Sequence, residues 1–88
     1  MKANDEIDLG NGHIVQIGSS TWNDQHRSVR NRYPTATGGF NVRASGELPI
    51  VDILPVVQIV ARNDEFSISQ CVTIIEFLSA SIRRQSEQ

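Results

Sequence analysis

Four arginines, Arg27, Arg30, Arg32 and Arg43, fall in one stretch from Gln25 to Gly46, QHRSVRNRYPTATGGFNVRASG, that holds no acidic side chain and no lysine. A guanidinium is a planar fork of N–H donors suited to gripping a carboxylate or a phosphate at two points. Tyr33 lies inside the stretch, and Trp22 and Phe40 stand near the ends of its loop. Flat rings between arginines can stack on bases while the guanidinium groups hold phosphates. If the segment is extended, Arg30 and Arg32 share one side and Asn31 takes the other. The chemistry on offer is recognition of an anion.

The flanks are acidic. Met1 to Asp24 carries one lysine against four acids, and Glu47 to Gln88 carries three arginines against six acids. Gln25 to Gly46 is +4 in a chain whose net charge is −2. Three fates are open to the arginines. They can pair with the molecule's own acids, at about 0–1 kcal/mol for each exposed pair. They can meet an acidic protein surface. They can contact nucleic acid, which ranks behind a protein because nucleic-acid modules usually carry a basic balance over the whole domain, whereas this one has a pI near 5.5.

Catalytic chemistry has little to work with. His13 is expected at a hairpin tip and His26 in a loop. Cys71 is expected on the buried face of a helix, where a thiol lacks the access and thiolate character that reactivity needs. Two histidines and one thiol, without a third ligand at metal spacing, predict no metal site. The adjacent acids Asp5-Glu6 and Asp64-Glu65 point apart and make no dyad. Gly10-Asn11-Gly12 and Gly38-Gly39 lack the spacing and following lysine of a phosphate loop. The reading is of a non-enzyme with no cofactor.

These residues need a scaffold, and 88 residues make one small domain of marginal stability. One cysteine excludes an internal disulfide. No apolar run reaches the roughly 20 residues of a membrane span, and the polar start MKANDEIDLGNGH lacks a signal-peptide core. A soluble, cytoplasmic protein is expected. Dimerisation is a natural way to gain stability at this size.

The elements follow in order. Glu6 to Leu9 and His13 to Ile17 read as strands around Gly10-Asn11-Gly12, a hairpin signal. A three-residue loop pairs Ile7 with Val15 and gathers Ile7, Leu9, Val15 and Ile17 on one face; a one-residue slip would scatter them. The hairpin is expected over 5–22. Residues 25–38 read as a basic, flexible loop on the strength of Asn31, Pro34 and the glycines. Gly39 to Arg43 alternates apolar with polar, which predicts a third strand over 39–44.

Two helices follow. With Asp52 as N-cap, Pro55 falls third in a helix over 53–62, where its missing N–H costs nothing. That helix is apolar nearly all round, so it should be buried. Ser67-Ile68-Ser69-Gln70 is a capping box, with Phe66 and Cys71 placed as a hydrophobic staple. The second helix should run over 68–84, with Ile68, Cys71, Val72, Ile75, Leu78 and Ile82 on one face. Phe77 falls off that face and is a candidate anchor for a partner or a second copy. The fold class expected is α+β: a three-stranded antiparallel sheet packed on a helical hairpin.

The expected function is a non-catalytic protein-interaction module. Its partner-binding residues would be Arg27, Arg30, Arg32, Tyr33, Arg43 and Trp22, facing an acidic partner, with nucleic acid as the alternative. In size and layout the chain resembles small accessory proteins of mobile elements, a likeness that rests on no motif.

Overall fold

The structure, a computed structural model, describes residues 1–41 and 45–88. The chain divides into two units, Met1–Leu54 and Pro55–Gln88.

The first unit is built on four antiparallel strands in the order β1-β2-β3-β4: β1 Lys2–Asp8, β2 Ile14–Ser19, β3 Arg27–Arg32 and β4 Gly46–Pro49. The first turn is the expected three-residue loop. Gly10, Asn11 and Gly12 all take positive φ (89°, 55° and 79°), and the Leu9 N–H donates to the His13 carbonyl at 2.9 Å. Ile7 accordingly sits opposite Val15. The register shifts between Ala3 and Asp5, beside Gly18. A Cβ on Gly18 would lie 2.1 Å from the Lys2 carbonyl oxygen, so β1 can approach β2 there only over a glycine.

The third strand is not the one expected. Residues 25–38 read as a loop, yet Arg27–Arg32 lies between β2 and β4 and pairs with both. Val29 is its only apolar side chain, so apolar alternation carries no signal of it. Hydroxyls and arginine stems fill the positions that apolar side chains usually occupy in a sheet. Ser28 is fully buried and shares a 2.5 Å hydrogen bond with Ser20. The connection from β2 closes through Ser20, whose N–H donates to the His26 carbonyl at 2.9 Å.

The strand expected over 39–44 also differs. Phe40 forms only an isolated bridge with Pro34, while Val42, Arg43 and Ala44 lie outside the described residues. The fourth strand comes later, at Gly46–Pro49, with Leu48 opposite Val29. The backbone of Ile50–Asp52 then makes a single 3-10 turn. Asp52, expected as the N-cap, therefore belongs to that turn.

The two helices are α1 Ile53–Arg62 and α2 Ile68–Ser86. Pro55 is the third residue of α1, as its chemistry requires. α1 ends in a Schellman motif: Glu65 N–H donates to Val60 O at 3.1 Å and Asp64 N–H to Ala61 O at 3.0 Å, with Asp64 at φ 56°. α2 opens on the capping box. The Ser67 hydroxyl accepts from the Gln70 N–H at 3.1 Å, and the Gln70 side chain accepts from the Ser67 N–H at 2.9 Å.

Burial departs from expectation throughout. Among the described residues no hydrophobic side chain is buried; the buried ones are Gln16, Ser20 and Ser28. Neither helix has a buried residue, so α1 is not the covered helix its composition implied. Cys71, expected on a buried face, is exposed.

Candidate functional site

The site is built on the strand that replaced the expected loop. Strand alternation sends Arg30 and Arg32 to one face of the sheet with Ser28, and Arg27, Val29 and Asn31 to the other. Pairing then fixes the neighbours of Arg30. Gln16 is opposite it on β2, Glu47 is opposite it on β4, and Glu6 is opposite Gln16 on β1. A row of four polar side chains thus crosses the sheet.

Hydrogen bonds join three members of the row, Glu6, Gln16 and Arg30. Arg30 Nε and Nη2 both donate to Gln16 Oε1, at 3.0 and 2.8 Å. Gln16 Nε2 donates to Glu6 Oε1 at 3.3 Å. At the far end Glu47 accepts from Thr21, at 3.0 Å from its N–H and 2.7 Å from its hydroxyl. Burial alone would raise the Glu47 carboxyl, but the two Thr21 hydrogen bonds, the N-terminal ammonium and Arg30 outweigh it and hold the group below its ordinary value.

Phe40 completes the arrangement. The Arg30 guanidinium carbon lies 4.8 Å from its ring centroid and that of Arg32 lies 5.1 Å away. A cation placed over an aromatic ring gains from the ring's quadrupole. Trp22, Arg30, Phe40, Ser45, Glu47 and Thr21 help line a hollow of about 410 Å³. The Trp22 side chain is 54% exposed at its edge.

Of the residues singled out from sequence, Arg30, Arg32 and Trp22 fall on or beside this surface. Arg27 does not. It is on the opposite face, where its Nη1 donates to Asn4 Oδ1 at 2.8 Å, and it helps line a separate hollow with His26, Pro49, Ile50 and Val51. Tyr33 stacks on the His13 ring, with centroids 4.2 Å apart and planes 12° from parallel. The His13 Nε2 is hydrogen-bonded to Asn31 Oδ1, so this ring pair is tied into the sheet. Arg43 lies outside the described residues. Phe77, on α2, is 68% exposed.

Sequence reasoning missed Gln16 and Glu47. A glutamine amid His13-Ile14-Val15-Gln16-Ile17 is the one available hint of a polar group facing a partner, and Glu47 gave none. Acids also bracket the arginines on this face: Glu6 and Asp8 come from β1 and Glu47 from β4. The arginines present directed donors within a locally balanced field. Among the described residues no three His, Cys, Asp or Glu side chains gather as metal ligands would, and no helix is long and apolar enough to cross a membrane.

No known protein family, characterised protein or solved structure matches this chain.

Proposed function

We propose that the protein is a non-catalytic interaction module that offers the Arg30–Arg32 face of its sheet to an acidic segment of a protein partner. The observation that carries this reading is the placement of both guanidinium groups within about 5 Å of the Phe40 ring centroid. Arg30 is committed to Gln16 and acts as a fixed support. Arg32, held beside Phe40, keeps its N–H groups for an outside acceptor. The exposed ring of Trp22 adds the aromatic anchor that interface centres favour.

The bracketing acids argue for a carboxylate over a polyphosphate backbone. A nucleic acid brings repeated charge and would meet Glu6, Asp8 and Glu47 together with the arginines. A protein segment can place one carboxylate on Arg32 and apolar surface on Trp22. Arg27 and Tyr33, on the other face, are assigned to the scaffold.

The test is co-purification from the native host with wild-type protein, Arg32→Glu and Trp22→Ala, alongside a titration with random single- and double-stranded DNA at low and high salt. The reading expects a partner retained by wild type and lost from both variants, with no DNA binding. DNA binding with a steep salt slope would replace it by the phosphate reading. An identical set of captured proteins for all three would remove this face as the site.

A further inference from the structure

We propose that α2 is a self-association element, and that its exposed apolar seam is covered by α2 of a second copy of this chain packed antiparallel about Ile75. This does not rest on the arginine face, which belongs to the other unit.

The seam is written in the spacing. Ile68, Cys71, Ile75, Leu78 and Ile82 recur at intervals of 3, 4, 3 and 4 residues. That is the a/d pattern of helices that pack along their length. Such a seam is narrower than the stripe of a helix lying on a globular core. Ile68, Ile75, Leu78 and Ile82 are 86%, 60%, 58% and 64% exposed, and Cys71 is exposed as well. Ile74, off the seam, is half-buried. The seam thus carries four of the six large exposed apolar side chains of α2; Val72 beside it is 48% exposed, and Phe77 on another side is 68% exposed.

Two features name the occupant. The first is that most of the seam is symmetric about Ile75 once the flanking Val72 is counted with it; Cys71 lacks an apolar counterpart, because Ser79 stands at its mirror position. Ile68 and Ile82 stand seven residues either side of Ile75, and Val72 and Leu78 stand three either side. A twofold axis through Ile75 therefore sets Ile75 on its own copy, Val72 on Leu78 and Ile68 on Ile82. An isologous contact needs this self-complementarity. The second feature is charge. Asp64 and Glu65 lie ahead of the capping box, separated from it by Phe66, and Arg83 and Arg84 stand in the last turn of the helix. Antiparallel packing brings the acidic start of one α2 beside the basic end of the other, and opposes the two helix dipoles. Parallel packing would set acid on acid and arginine on arginine. No charged side chain interrupts the seam itself.

The assignment moves the contact away from Phe77, which projects about 160° around the helix from Ile75 at 3.6 residues per turn. It also places Cys71 four residues from the axis, opposite Ser79, so the native thiol does not meet its own copy.

The experiment is light scattering of the full chain after size exclusion, over a range of concentrations, with cysteine cross-linking. Wild type is expected at twice the 9.8 kDa chain mass. Ile75→Glu, which sets two carboxylates on the axis, is expected to weaken the dimer at least 100-fold, and Phe77→Glu to leave it intact. Should Ile75→Glu fail to fold, cross-linking still decides. In a Cys71→Ser background, Ile75→Cys should oxidise to a covalent dimer, and Phe77→Cys should not. A monomer at all concentrations, or a dimer dissolved by Phe77→Glu and linked through position 77, would overturn the proposal. So would equal cross-linking at both positions, the mark of random collision.

Discussion

Arg30 directs two of its N–H groups, Nε and Nη2, at a single oxygen, Oε1 of Gln16, at 3.0 and 2.8 Å. Gln16 is only 6% exposed, so this charge-assisted contact is among the few largely shielded from water. A hydrogen bond to a charged group contributes about 1.5–3 kcal/mol. Gln16→Ala should lower stability by about that much in urea denaturation. Arg30→Lys should recover little, because an ammonium cannot reproduce the fork. An unchanged urea midpoint in Gln16→Ala would show the row to be ornamental.

Gly18 is the place where β1 comes closest to β2. Its added Cβ would meet Lys2 O at 2.1 Å and the Ala3 Cα at 2.7 Å, both backbone atoms that no rotamer change can move. Gly18→Ala should destabilise by about 1–3 kcal/mol or detach β1 locally. Amide exchange separates the two: detachment accelerates exchange in β1 and β2 while β3 and β4 stay protected. Gly46→Ala, with open space at its Cβ, is the control.

Much of the local structure was legible and much of the tertiary arrangement was not. The Gly10-Asn11-Gly12 turn, the Ile7–Val15 register, the entry of Pro55 and the capping box at Ser67 are decided by residues close together in sequence, the register by the apolar pattern that the turn must bring to one face. β3 was invisible because Arg27-Ser28-Val29-Arg30-Asn31-Arg32 has no apolar period. It is held by Ser20 at one position and Gln16 at another, and these partners are distant in sequence. The site followed the same divide. That Arg30 and Arg32 share a side followed only if their segment, read as a loop, were extended, and Gln16 and Glu47 join them only through strand pairing. The exposure of the α2 seam was misread because an amphipathic stripe shows that a face will be covered without showing by what.

Glu47 makes acid stability specific. Its carboxyl is depressed in the folded chain, so it binds its proton less readily folded than unfolded. Its contribution is therefore complete above the unfolded carboxylate range and lost as the pH falls through the folded value. Thr21→Val removes the hydroxyl donor at 2.7 Å and keeps the N–H. Wild-type stability should fall on acidification below pH ~4.5, near the ordinary carboxylate value, and Thr21→Val should flatten that fall. Melting curves at stepped pH measure it. Parallel curves for the two proteins would mean that other carboxylates govern the acid limb.

Asp64 closes α1 in a conformation that suits glycine better. Its φ of 56° places a side chain in the left-handed region, and its carboxylate sits at the negative end of the helix dipole. The Schellman bonds from Asp64 and Glu65 to Ala61 and Val60 need the backbone there, not the side chain. Asp64→Gly should relieve both penalties and raise stability by about 0.5–1 kcal/mol, because the terminating bonds survive without Cβ strain. Asp64→Val should lower it by about 1–2 kcal/mol, since a β-branched residue pays the full left-handed cost. The expected order in thermal melts is glycine, then wild type, then valine. Valine matching wild type would mean that the turn after α1 does not hold the left-handed geometry in solution.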